Sequence, residues 1–154
     1  AHLGLPYAFA SHFAPDQLET ALAMYRREFR PSTRLARPYA VVAMNVVAAD
    51  TEQQARYLFT SLQQLFINLH RGAIGKLPAP VADIDRVWQP HERPGVERAL
   101  AVSAVGDVAG VAAQMQALVQ RLAPDELMIT ANIHDAQARR HSFALAMQAW
   151  RAIS

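Results

Sequence analysis

The run Tyr39 to Ala48 reads Tyr-Ala-Val-Val-Ala-Met-Asn-Val-Val-Ala, almost unbroken apolar sequence. A strand with one wet face alternates polar and apolar residues. This one does not, which predicts burial on both faces and therefore a place inside a parallel sheet. Parallel strands need long crossovers, so the flanking sequence must supply helices.

It does. Asp50 and Gln53 stand at capping-box spacing, with Asp in place of Ser or Thr, and Ala55, Leu58, Phe59, Leu62, Phe66 and Leu69 follow at helical spacing before Gly72. Upstream, Leu5 to Ser11 is a short apolar run with a leading Pro and predicts a strand. From Ala14, Pro15 and Asp16 the period changes to helical, through Leu18, Leu22, Tyr25 and Phe29, and Pro31 stops it. Between Arg71 and about Pro94 the period is lost among Pro78, Pro80, Pro90 and Pro94, and 71–103 is read as an insertion or mobile segment. A short helix is expected over 95–103. Asp107 is placed to cap a helix through Val111, Met115 and Leu118 that Pro124 ends. Glu126 to Ile133 predicts a third strand, and Asp135 caps a last helix with Phe143, Met147 and Trp150 as its apolar stripe.

The order is strand, helix, strand, helix, insertion, helix, strand, helix, which means parallel strands joined by right-handed crossovers. Three such strands are an incomplete architecture, because parallel sheets carry helices on both faces and either more strands or closure into a barrel. Something is expected to be missing from the chain or supplied by a partner. At 154 residues, 52% hydrophobic and 18% charged, residues 1–154 are read as a single domain. Fifteen Lys and Arg against thirteen Asp and Glu give a net charge of only +2. The one dense basic run, Arg26, Arg27, Arg30, Arg34 and Arg37, has no interleaved stacking platform, so it reads as a solvated helix end and nucleic acid is disfavoured. Cysteine is absent, which removes disulfides and thiolate chemistry. No apolar run reaches roughly 18 residues and no signal-peptide pattern is present, so no membrane partner is expected and a cytoplasmic location is. The first residue is Ala1, as expected of a processed, trimmed or excised chain.

In parallel α/β folds, ligands gather beyond the carboxyl ends of the strands. There the sequence places Ser11 and His12, then Asp50, then Asn132, His134 and Asp135. His12 and His134 are read either as a general acid/base pair or as ordinary loop residues. Asp50 and Asp135 read as helix caps. A metal site is disfavoured, since no two-ligand spacing motif is present. Asn45 either faces a polar cavity or is satisfied by a neighbour, and Trp88 is either a lid or an anchor for the insertion. No Gly-rich nucleotide loop or serine-hydrolase elbow occurs.

The segment Gly4 to Pro15, Gly-Leu-Pro-Tyr-Ala-Phe-Ala-Ser-His-Phe-Ala-Pro, resembles one in bacterial luciferase-like flavin-dependent monooxygenases. Tyr39 to Glu52, Ala104-Val-Gly-Asp107 and Asp125 to Asp135 follow in family order. The resemblance covers essentially the whole chain. It implies an α/β fold: a partial (β/α)8 barrel comprising about the last three strand–helix units, with an insertion before the final strand. It also implies chemistry: reduced FMN from a separate reductase reacts with O2, and the resulting flavin hydroperoxide oxygenates a small organic substrate. Carried over by position, Ser11 and His12 fall beside the cofactor ring, and Asn132 and His134 on the substrate side. The family's phosphate-holding loop and catalytic histidine have no counterpart here, so catalytic residues are left unassigned. The chain by itself is then expected to be inactive and to bind no cofactor alone, pairing as a homodimer or with the missing N-terminal part. The competing readings are a non-catalytic oligomerising or folding module and, more distantly, a metal-dependent hydrolase using His12 and His134.

Overall fold

The apolar run forms the central strand of a four-stranded sheet in which every pairing is parallel. The computed structural model describes residues 1–12, 15–73 and 75–154. Phe13 and Ala14, which fall in the predicted helix start and the Gly4 to Pro15 motif, and Ile74 in the insertion lie outside the described residues. In chain order the elements are β1 (Tyr7–Phe9), α1 (Leu18–Glu28), β2 (Ala40–Ala48), α2 (Glu52–His70), α3 (Arg93–Ala99), β3 (Ser103–Gly106), α4 (Val108–Leu122), β4 (Glu126–Thr130) and α5 (Ala136–Arg151). Short 3-10 turns lie at Pro15–Gln17 and Ile84–Arg86.

One edge of β2 carries β4, from Val41↔Glu126 to Asn45↔Thr130. The other edge is shared by β1, which pairs with residues 40–42, and β3, which pairs with residues 45–48. β3 is the correction to the three-strand expectation. Its four residues, Ser-Ala-Val-Gly, are too few and too small to show a period, and they form a strand because β2 is long enough to offer a second docking stretch. The outer edge of β3 is occupied by Gln114, whose amide accepts from Val105 N at 3.2 Å and donates to Val105 O at 3.1 Å.

Alternate residues of β2 divide two environments. Ala40, Val42, Met44, Val46 and Ala48 face a cluster containing Leu18, Leu22 and Tyr25 of α1, Val111, Met115 and Leu118 of α4, and Leu145, Ala146 and Ala149 of α5. Full burial of such a side chain is worth about 1.5–3 kcal/mol. Val41, Ala43, Asn45 and Val47 face the other way. There α2 covers only the carboxyl end, packing on Val47 and Val105. Towards the amino end, Ala8 and Glu126 are exposed and Met128 is 51% exposed.

Several boundaries depart from expectation for identifiable reasons. β1 stops at Phe9 because Ser11 folds back, its N–H donating to Phe9 O and its hydroxyl to Ala43 O. β4 stops at Thr130 rather than Ile133. Thr51, not Asp50, caps α2, its hydroxyl accepting from Gln54 N at 3.2 Å. Asp107 and Asp135 do cap their helices, accepting from Gly110 N and Ala138 N. The short helix runs 93–99, with Pro94 in its first turn, rather than 95–103. The Phe143–Met147–Trp150 stripe of α5 is not its buried face: Phe143 and Met147 are 37% and 45% exposed, and Ser142, Leu145, Ala146 and Ala149 are buried instead.

The basic run is also more than a solvated end. Arg26 donates to the carbonyls of Leu122 and Ala123 at 2.7 and 2.6 Å, satisfying the last turn of α4 where Ala123 adopts a left-handed conformation. Arg37 pairs with Asp125 at 2.7 Å. The Asp125 carboxyl accepts first from Ala40 N and then from Arg37, and both hold it below the usual carboxylate range. Gly4, at φ +59°, brings the N-terminal segment so close to Arg30 O and Ser32 that a Cβ would fall about 2.5 Å from Ser32 Cβ.

The segment 71–103 has a core of its own, in which Trp88, Val96 and Leu100 pack on Leu62, Phe66 and Ile67 of α2. Trp88 is therefore placed as an anchor, its indole N–H donating to Asp85 at 3.0 Å. Arg71 grips Glu92 with two hydrogen bonds of 2.6 Å and also donates to Val87 O. Those bonds, with a further donation from Gln89 N, bring the Glu92 carboxyl down to about 2.

Candidate functional site

A cavity of about 270 Å3 lies at the carboxyl edge of the sheet, between the inward face of β2 and the second half of α2. Its floor carries His12, Asn45 and Asn132, and its roof Leu62, Leu65, Phe66 and Leu69. This is where strand ends converge, so loop residues far apart in sequence come to one place. β1 ends three residues before His12, β4 two before Asn132, and Asn45 lies on β2 between them.

Asn45 is 1% exposed and fully engaged. Its Nδ2 donates to His12 O at 2.7 Å and reaches Ser103 Oγ at 3.4 Å, while its Oδ1 accepts from Thr130 Oγ1 at 3.1 Å. Thr130 and Ser103 thus hold the Asn45 amide from behind without lining the cavity themselves, and sequence reasoning missed both. The available signal was Asn45 itself, since a buried amide inside an apolar strand requires partners. His12 is half-buried, and its Nδ1 is buried without a hydrogen-bond partner among the described residues.

Of the residues singled out beforehand, His12 and Asn132 line the cavity together. Ser11 is fully buried but does not line it, its hydroxyl being committed to Ala43 O. His134 is exposed and does not line it either, so His12 and His134 are not brought together there. Asp50 is exposed and pairs with His141 at 2.8 Å. Among the described residues, no three His, Asp or Glu side chains are grouped to hold a metal. No helix among them is long and apolar enough to cross a membrane.

Among the described residues, no Lys, Arg, Asp or Glu lines the cavity. Its roof is the carboxyl-terminal half of α2, whose dipole end disfavours an anion. A neutral, mostly apolar molecule with a hydrogen-bonding group suits it. A larger open groove, about 1200 Å3, runs between the first half of α2 and the start of α4. The helix ends there are already capped by Thr51 and Asp107, and Gln114 is tied to β3.

No protein-family model matches the chain. It is 52% identical over 147 residues to a luciferase-like monooxygenase of Escherichia coli (strain K12), covering 96% of this chain and 44% of that protein. It is 38% identical over 149 residues to YvbT, an uncharacterized protein of Bacillus subtilis (strain 168), covering 97% and 44% respectively. The chain therefore spans less than half the length of the curated relatives it matches. Among solved structures, apo-MsnO8 superposes with a TM-score of 0.84 at 24% identity, over 99% of this chain and 46% of that one. That likeness establishes the mixed α/β fold with its parallel sheet.

Proposed function

We propose, for a chain related over nearly its whole length to luciferase-like monooxygenases, that it forms the substrate-side part of a flavin-dependent oxygenase site. The observation that carries this is the cavity at the carboxyl edge of β2, apolar above and polar below, which His12 and Asn132 both line. In this reading residues 1–154 are one domain and the last strand–helix units of a (β/α)8 barrel, with 71–103 inserted beside the site. The free edges of β1 and β4, and the uncovered inward residues Ala8, Glu126 and Met128, are what such a barrel segment presents to further strands. Those strands come from the rest of a longer protein or from a second copy.

FMN as a whole does not fit the residues present. A phosphate needs Lys, Arg or a free helix N-terminus, and the described residues of the cavity offer none of these. The cavity suits the uncharged end of a flavin or the organic substrate, with His12 and Asn132 as hydrogen-bonding groups and Leu62, Leu65, Phe66 and Leu69 excluding water. The chain alone is then inactive.

Titrations of FMN and riboflavin, oxidised and then reduced without oxygen, test this by flavin fluorescence and absorbance. The expected result is weak binding with no advantage for the phosphate. A strong preference for FMN would overturn the assignment of the phosphate to another part of the protein. Light scattering on the same samples tests pairing: a monomer at high concentration argues against self-association through the open edges.

A further inference from the structure

The amide of Asn45 links three strand termini. It donates to the carbonyl of His12, beyond the end of β1, contacts Ser103 at the start of β3, and accepts from Thr130 at the end of β4. The β1–β2 ladder ends at Phe9↔Val42, so the His12 carbonyl has left its strand partner behind, and a side chain takes the place of the missing backbone donor. Thr130 fixes the orientation of the amide. Its hydroxyl donates to Oδ1, which turns Nδ2 towards His12. The backbone at His12 is therefore held from below; His12 is one of the residues lining the cavity, and its Nδ1 is buried and unpartnered among the described residues. A buried polar nitrogen without a partner is costly unless something arrives to meet it.

We propose that Asn45 is a positioning residue, holding His12 so that its imidazole meets the hydrogen-bonding group of a neutral, otherwise apolar organic ligand in this cavity. This rests on the reading of the cavity as a ligand site given above. The neutral class follows from the lining, which among the described residues has no Lys, Arg, Asp or Glu to pair with a charged group.

The test uses the full chain with 15N-labelled histidine, whose six imidazoles are followed by long-range proton–nitrogen correlation, with His12→Ala identifying the signal. Asn45→Asp keeps the size of the side chain and its acceptor for Thr130 but sets an acceptor against the His12 carbonyl. It is expected to move the His12 ring nitrogens and leave those of His134 and His141 in place. Thr130→Val, a milder change that frees the amide to turn, is expected to move them less, and it carries the test if Asn45→Asp does not fold. Unmoved His12 signals in the folded variants would overturn the proposal. Riboflavin is the ligand probe: it is expected to shift the His12 signal in the unmodified chain and to bind about tenfold more weakly to Asn45→Asp, as loss of one well-aimed hydrogen bond implies. Equal binding to both overturns the positioning role while leaving the flavin reading intact. If riboflavin binds no form, it is the flavin reading that fails, and the positioning role is decided by the ring signals of the two variants.

Discussion

The two faces of β2 obey different rules. The face towards α1, α4 and α5 is closed by Leu22, Met115, Leu145 and their neighbours, and it works by excluding water and filling volume. The opposite face carries Asn45 with Ser103 and Thr130 beside it, a cavity at its carboxyl end and exposed Met128 at its amino end. One side of the strand thus serves stability and the other carries the proposed site, and alternate residues of one short sequence serve both.

Truncation on each face measures that division. Met115→Ala should cost about 2–5 kcal/mol in denaturant unfolding, because its site is closed on all sides and cannot collapse fully. Met128→Ala, at an exposed position on the other face, should change stability by less than about 0.5 kcal/mol. Similar losses at both would mean that a covering layer protects the open face.

Ser142→Ala should come next in size. The Ser142 hydroxyl, buried on α5, accepts from Ala48 N at 2.9 Å just past the end of the β4 ladder, and its removal leaves a buried N–H unpaired. About 1–3 kcal/mol is expected from urea melts, and a neutral result would show that another acceptor replaces it. The α2 cap is a smaller and more local contrast. Thr51→Ala should lose about 1 kcal/mol and Asp50→Ala markedly less, and the reverse order would restore Asp50 as the cap.

The last prediction concerns acid. Because the folded Glu92 carboxyl sits at about 2 against an ordinary 4.5, the fold favours its ionised form. The Arg71–Glu92 contribution is thus fully present above about 4.5 and fades as pH falls towards 2. Trp88 fluorescence in a Trp150→Phe background should report release of the 71–103 segment in that window, and Glu92→Gln should abolish the pH dependence. A transition centred near 4.5 in the unmodified chain would contradict the grip of Arg71.

Much of the helix side was legible because its signals are local. The caps at Asp107 and Asp135, the helix stop at Pro124 and the unbroken run of β2 are each written within a few residues. The cavity side was legible only in outline. Position at a strand end pointed to His12 and Asn132, which do share a cavity, but equally to Ser11 and His134, which do not line it. What separates them is whether a turn aims the side chain inward or commits it to backbone, and that depends on partners such as Ala43, 32 residues from Ser11. β3 left no mark, since its pairing belongs to the length of β2 and not to its own four residues. The stripe on α5 misled because apolar spacing shows that a face is apolar without showing that anything covers it.

The register of the sheet has a consequence in time. β2 and β4 pair across a separation of 85 residues, so a chain emerging from the ribosome at about 5–20 residues per second must wait roughly 4–17 s before the second edge of β2 finds its neighbour. Collapse of small chains takes on the order of microseconds. For that interval the most apolar stretch of the molecule has an unclaimed row of backbone donors and acceptors. Synthesis therefore exposes Ala40 to Ala48 as the segment on which nascent chains are most prone to mispair.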